Sequence, residues 1–353
     1  MRITLFAAFP DAYRQSMRVY TDELTAALRL RLSPHETVTS FLPTGVRTAP
    51  AVARYWSQYV TYPCQARRVQ GTVNHIVDHA YGHLVHALDP RRTVVTFHDA
   101  VALKARRHPW VDRLNLAGLR RAAAIICVSE ATRQALVAHC PASRARVAVI
   151  PEGVRERFFG SGDGDPRHRL NVPAGRYLLH VGHTRPYKNV PALLRVVAHL
   201  VRMMGPEIRL LKVGTAFTTD QEQLIDQLGL RRQIVHLGRI SDDLLPTAYR
   251  CAEALLVPSW DEGFGLPVLE AMASGVPVVV SNRGALPETV GSAGLVVDPD
   301  DPQRMAEAVA GLLQDPPRRA ALIAAGVARA RDFTWQRTAE QTLAVYRTVA
   351  GFL

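Results

Sequence analysis

Lysine is almost missing from this chain. Among 353 residues it occurs only as Lys104, Lys188 and Lys212, and arginine fills the other basic positions. Cysteine is nearly as scarce: Cys64, Cys127, Cys140 and Cys251 form no C-x-x-C pair. They read as reduced thiols of a cytoplasmic protein rather than as a disulfide or redox framework. No apolar run approaches the roughly 18 residues needed to span a bilayer. Low-complexity tracts and short-period repeats are absent too. The opening Met1-Arg-Ile-Thr-Leu-Phe-Ala-Ala-Phe9 carries one basic residue and a short apolar stretch. It reads as a buried first strand rather than a signal peptide.

What is present is an ordinary globular composition with an uneven charge. Apolar residues make up 48% and charged residues 21%, which suits a soluble domain or two. The net charge is +12, and nearly all the excess lies in residues 1–160, with 22 Arg or Lys against 11 Asp or Glu. The remainder holds 21 against 20. A basic half can face nucleic acid, an anionic membrane surface or phosphorylated ligands. An arginine-biased composition explains part of the excess without any partner.

Short apolar runs alternate with helical-period segments, the pattern of βαβ units around a parallel sheet. Expected strands are Ile3–Phe9, Val73–Val77, Thr93–Phe97, Ala124–Val128 and Val147–Ile150. After Gly160-Ser-Gly-Asp-Gly-Asp-Pro166, a polar stretch suited to a linker, the series restarts. Tyr177–Val181, Ile208–Val213, Ile234–Leu237, Ala254–Val257, Val276–Val280 and Gly294–Val297 read as strands, with helices such as Asn189–Met203, Asp220–Leu228 and Gly265–Ala273 among them. The expected architecture is α/β: two Rossmann-like domains, 1–160 and 161–333, and a closing helix at 334–353 that packs back toward the first. Ligands of such sheets sit at the carboxyl ends of the strands, so two facing domains would form a cleft.

The sharpest signal is Pro258-Ser-Trp-Asp-Glu-Gly-Phe-Gly-Leu-Pro-Val-Leu-Glu-Ala-Met272. It follows a buried strand and opens a helix, whose free N–H groups can receive a phosphate. Gly263 and Gly265 let the backbone approach a ligand. Glu262 sits at the helix mouth and Glu270 about two turns inside, where a carboxylate needs a hydroxyl partner or solvent. Spacing alone also fits a strand–turn–helix unit with two surface charges.

This stretch resembles the Glu-x7-Glu motif of family 4 glycosyltransferases, which are retaining enzymes of the GT-B fold. Val181-Gly-His-Thr-Arg-Pro-Tyr-Lys-Asn189, Pro151-Glu-Gly-Val154, Gly275-Val-Pro-Val-Val-Val-Ser281 and Ala285-Leu-Pro-Glu288 resemble the family's accompanying segments. The resemblance covers most of the chain and is strongest over 177–300. It implies that Arg185 and Lys188 hold the donor diphosphate and that Glu270 binds the ribose. Glu262 would contact the transferred sugar, with backbone N–H groups of Gly263, Phe264, Gly265 and Leu266 beside it. Arg239 falls near the base. Fixed cations suit a leaving diphosphate, which gains charge as the glycosidic bond breaks.

In the first domain the resemblance places His98 near the transferred sugar, with Asp99 beside it. Asp78 and His79 lie at another strand end and are candidate cleft-lining residues. The family's glycine-rich loop after the first strand is matched by Arg14-Gln-Ser-Met-Arg-Val-Tyr20, which has no glycine. Either the contacts to acceptor and phosphate differ here, or Arg18 reaches the phosphates itself. His75, His79, His83 and His86 could suggest zinc, but a strand followed by a helix would scatter the rings, and no metal or other cofactor is expected. Tyr55, Trp56, Tyr59 and Val60 with Arg67 and Arg68 suit a membrane interface or a lipid-linked acceptor, or else pack onto the domain.

The implied reaction is front-face displacement with retention, without a metal. The whole chain looks most like bacterial mannosyltransferase-like members, so GDP-mannose is the first expected donor and a UDP-sugar the second. The acceptor expected is a saccharide or lipid-linked saccharide of surface-polysaccharide assembly, met in the cytoplasm or at the inner face of the membrane. A nucleotide-sugar epimerase would share the fold but not require the full motif set. A nucleic-acid-binding protein would explain the charge, but no nucleic-acid motif accompanies it.

Overall fold

A computed structural model describes residues 1–9, 15–43, 51–105, 109–141, 145–160 and 165–351. It divides into two compact units, Met1–Gly153 with Trp335–Leu353, and Val154–Thr334. The division falls ahead of the break expected near residue 160. Val154 is already tied to the second unit: it bridges Thr334, and its N–H donates to Phe333 O at 2.9 Å. Residues 161–164 of the expected linker lie outside the described residues.

The first unit holds β1 (Arg2–Phe6), β2 (Thr37–Phe41), β3 (Val73–Ile76), β4 (Thr93–Phe97), β5 (Ala124–Cys127) and β6 (Arg146–Val149). They form one parallel sheet in the order β2-β1-β3-β4-β5-β6. β3, β4 and β5 are buried at every position, as strands covered on both faces must be. The edge strand β2, Thr-Val-Thr-Ser-Phe, buries only Val38, and its polar residues hid it from a reading based on apolar runs. Helix α1 (Gln15–Arg29) turns Tyr20, Leu24 and Leu28 inward at helical spacing. They share a core cluster with Ile3, Leu5, Val94 and Ile126 of the sheet. Trp335, Leu343 and Tyr346 of the closing helix, Trp335–Val349, complete that cluster.

The second unit holds β7 (Arg176–Gly182), β8 (Ile208–Gly214), β9 (Ile234–Gly238), β10 (Ala252–Val257), β11 (Val278–Ser281) and β12 (Leu295–Val297). Their order is β12-β11-β10-β7-β8-β9, again all parallel. Helix α2 (Val190–Met204) buries Val190, Leu193, Leu194, Val197 and Leu200 against Leu178, Leu210 and Leu256 of the sheet. Burying one such side chain contributes about 1.5–3 kcal/mol. In this sheet β7 is flanked by β8 on one side and β10 on the other. The strand order therefore reverses between β7 and β10, and the loops leaving those two carboxyl ends are where an open α/β sheet binds its ligand. In the first sheet the reversal lies between β1 and β3.

The four histidines after residue 74 do not converge. His75 takes Tyr346 Oη at 2.5 Å and Thr96 Oγ1 at 2.7 Å, and burial pushes its pKa down to about 3. His83 takes Asn115 and the Gln58 carbonyl, and His86 the Leu114 carbonyl. The expected regular helix after His79 is a 3-10 run, His79–His86, broken at Tyr81. Gln15–Tyr20 is helical rather than loop, so Met17 and Arg18 stand on the first turns of α1; Arg14 lies outside the described residues.

Candidate active site

The two loops at the reversal point of the second sheet carry the densest charge. The loop after β7 runs from His183 through a 3-10 turn, Pro186–Lys188, to Asn189, whose left-handed backbone and side chain cap α2. The loop after β10 runs from Pro258 to Gly265, which opens helix α3 (Leu266–Ala273) at φ +99°. That conformation favours glycine. The two loops are joined directly. Trp260 N–H donates to Tyr187 O at 2.8 Å, and Lys188 Nζ meets Glu262 Oε1 at 2.6 Å. Ser259 Oγ donates to the same oxygen at 2.7 Å. Lys188 and Glu262 are both largely buried, so each charge depends on the other.

Positive charge converges on this loop. His183 has its pKa pushed down to about 3, first by burial and then by Lys188, Arg185 and Lys212. Its ring is held by Tyr187 Oη at 2.7 Å. Arg185 is exposed on the turn, and Arg239 is exposed just past the carboxyl end of β9. Phe264 is buried and packs edge-on to Phe333, which fixes the Gly263–Leu266 turn.

Glu270 is little more than one helical turn past the start of α3, closer to the mouth than expected, and it is buried. Tyr249 Oη donates to its Oε2 at 2.7 Å. Arg155 lies 3.6 Å from its Oε1 and bonds Asp242 at 2.9 Å. Burial dominates over these partners and raises the carboxyl pKa to about 7. The carboxylate thus sits in a place that disfavours its charge.

In the first unit, β3 and β4 end side by side in a buried polar cluster. His98 Nδ1 meets Glu152 Oε1 at 2.9 Å, and His98 Nε2 donates to the Val77 carbonyl at 2.8 Å. Tyr20 packs edge-on against the ring at 4.8 Å. Burial alone would lower the His98 pKa; Glu152 outweighs it and leaves the pKa raised. Both ring nitrogens are therefore engaged inside the unit. His79 accepts from the His98 N–H at 3.4 Å and lies 3.7 Å from the Asp78 carboxylate. Asp78 and Asp99 cap the turns that follow, accepting from Ala80 N and Val101 N. Arg18 is not part of this cluster: its side chain is 80% exposed and reaches Asp22 at 3.5 Å.

Residues 19–158 match the family described as Glycosyltransferase Family 4, and residues 167–329 match Glycosyl transferases group 1. O-antigen chain mannosyltransferase B of Escherichia coli is 32% identical over 286 residues, covering 75% of this chain and 72% of that protein. The chain belongs to the family 4 glycosyltransferases. A D-inositol 3-phosphate glycosyltransferase of Acidothermus cellulolyticus is 37% identical over 215 residues, covering 57% of this chain. The aligned region there is about half of the relative's length, 48%. Among solved structures, sucrose-phosphate synthase from Thermosynechococcus elongatus superposes with a TM-score of 0.82 at 22% identity over the whole of both chains. An Anabaena protein solved with UDP-glucose gives 0.78 at 19% identity over 99% of this chain and 100% of that one. These likenesses show the GT-B fold. The glycosyltransferase moves a sugar from a nucleotide-sugar donor.

Three residues of the two sites were not picked out from sequence. Glu152 lies in the Pro151–Val154 segment, but nothing in spacing ties it to His98, 54 positions away. Arg155 follows it and was hidden among many arginines. Lys212 carried a usable signal, as one of three lysines, yet it reads as a residue inside an apolar strand.

Proposed function

We propose that this glycosyltransferase transfers a hexose with retention to a saccharide or lipid-linked saccharide, with GDP-mannose as the first donor to try. The Lys188–Glu262 pair at the reversal point of the second sheet carries the reading of the donor site. Arg185 and Lys188 bind the diphosphate and stabilise it as it leaves. Backbone N–H groups of Gly263 to Leu266 lie along the phosphate and sugar. Glu262 positions the sugar, Glu270 takes the ribose hydroxyls, and Arg239 borders the base. His98 is a candidate for contact with the sugar as a fixed, paired ring rather than a proton carrier, since both its nitrogens are bonded. The leaving phosphate then takes the acceptor proton on the same face. Because protein cations supply the charge, the reaction in this reading runs without a metal.

Mannose is supported by the likeness to the E. coli O-antigen mannosyltransferase. A UDP-sugar is the second reading, favoured by the Anabaena fold relative solved with UDP-glucose. No helix among the described residues is long and apolar enough to cross a membrane. Peripheral contact with an anionic membrane, as part of this reading, draws on the basic first half and on exposed aromatics. Trp56 and Trp110 are 64% and 60% exposed, and Trp110 packs on Tyr59, which stacks on Tyr55.

The test is thermal unfolding with GDP, UDP, ADP and their sugars, followed by transfer assays with the sugar of the base that binds. A ligand at 100 times its Kd stabilises by roughly 2.7 kcal/mol. A shift with GDP alone supports the mannose reading, and a shift with UDP alone replaces it by the second. Loss of activity in excess chelator, restored by Mg²⁺, would overturn metal independence.

A further inference from the structure

Lys212 is fully buried on β8, directly beneath the donor loop. Its ammonium is bonded only to carbonyl oxygens: Gly182 at 2.6 Å, Val213 at 3.0 Å and Thr215 at 3.4 Å. A buried cation ordinarily lies against a carboxylate. Among the described residues no carboxylate is bonded to this one, and the charge that acts on it is that of Lys188, which is itself paired with Glu262. The other titratable groups packed around it add no negative charge. His180 on β7 and His236 on β9 are its partners in strand register. His180 and His183 have pKa values pushed down to about 3 and are neutral.

The backbone around Lys212 is built to hold this arrangement. Gly214 has φ +118°, and a Cβ there would lie 2.0 Å from the Gly182 carbonyl oxygen. The ends of β7 and β8 thus close tightly, and the Gly182 carbonyl turns to the ammonium. Gly182 begins the loop that carries Arg185 and Lys188. Lys212 therefore fixes the root of that loop and adds a third positive charge beside Arg185 and Lys188.

We propose that Lys212 is a positioning residue for the donor diphosphate: a buried ammonium that sets the Gly182–Lys188 loop through carbonyls and whose missing counter-charge is supplied by the bound diphosphate. This deepens the donor-site reading and rests on it. Burial, and then the charge of Lys188, lower its pKa to about 8, so the ammonium discharges as pH rises through that value when no anion is present. A diphosphate favours the charged form. By linkage, diphosphate affinity is complete below that pKa and weakens as pH rises through it.

The experiment is calorimetric titration of GDP and UDP into the wild-type protein, K212M and K212R between about pH 7 and about pH 9. Guanosine and uridine serve as phosphate-free probes. For whichever diphosphate binds, wild-type affinity should fall several-fold more over this range than the nucleoside affinity does. K212M should bind the diphosphate about tenfold or more weakly at the lower pH, the scale of one lost charge-assisted bond, and should lose the extra pH dependence. K212R should keep most of the affinity without the pH dependence, since arginine does not discharge. Equal affinities and pH profiles in wild type and K212M would overturn the inference and leave the donor site standing. If K212M does not fold, the wild-type profile decides: a diphosphate affinity that tracks the nucleoside across the range overturns it. Binding of no diphosphate to the wild type would overturn the donor-site reading and the inference together.

Discussion

Each unit of this glycosyltransferase holds a short buried carboxylate pair at a strand end, and the two pairs differ in the base that faces the carboxylate. In the second unit Lys188 faces Glu262 across two loops. In the first, His98 faces Glu152 across a strand end, with its other nitrogen on a carbonyl. A histidine pair is an ion pair only while the ring is protonated. The histidine pair suits a wall whose shape is what counts.

The largest expected effect breaks the lysine pair. Lys188→Ala or Glu262→Ala should lower kcat by about 10²–10³-fold, the scale for one fixed charge aimed at a leaving group, with the circular dichroism spectrum unchanged. Near-normal turnover in either variant would remove these residues from the site. His98→Ala should also remove most turnover, but with loss of the unit's packing visible in its unfolding.

Glu270 separates function from stability in the same unit. Its carboxyl pKa is raised from 4.5 to about 7 by burial. An acid whose folded pKa is raised costs stability as pH climbs from the unfolded value to the folded one, and the cost levels off above it. Glu270→Gln should therefore raise stability at about pH 8 by on the order of 2–3 kcal/mol in denaturant titrations, while weakening nucleotide binding. A variant less stable than wild type at that pH would show that the carboxylate supports the fold.

The histidine pair should respond to pH in its own way. Glu152 leaves the His98 pKa raised, so the pair's stabilisation is complete below the unfolded-state value of about 6.5 and lost as pH rises through the folded one. Glu152→Gln should flatten that decline and cost about 1.5–3 kcal/mol below it, the worth of a charged hydrogen bond. Identical pH–stability curves for wild type and variant would mean that the ring is neutral throughout.

The smallest effect concerns the surface of the first unit. Replacing Trp56 and Trp110 by Ala should weaken sedimentation with phosphatidylglycerol vesicles several-fold. Turnover on a soluble acceptor should be unchanged. Equal vesicle binding would assign the membrane contact elsewhere or deny it.

Legibility followed the same division. The candidate residues of the second unit were readable because they are sequential: Arg185 and Lys188 share one loop, and Glu262 and Glu270 flank one helix start. Its strands are apolar runs with turn residues between them. The first unit was read less fully because its site is assembled by the sheet. His98 and Glu152 become neighbours only when β4 and the segment after β6 lie together. β2 escaped notice because Thr37, Thr39 and Ser40 give it a loop's composition. Lys212 was hidden by its setting, since a cation inside an apolar strand has meaning only once its carbonyl partners are known.

The closing helix has a consequence for how the molecule is made. Trp335, Leu343 and Tyr346 belong to the core of the first unit, yet they follow the entire second unit in sequence. Chains emerge from the ribosome at about 5–20 residues per second, and domains usually fold in the order they appear. Here the order is inverted: the second unit can close while the first still lacks one wall. For that interval His75 waits without the Tyr346 hydroxyl that will hold it, and the core positions that Trp335 and Leu343 will cover stay open.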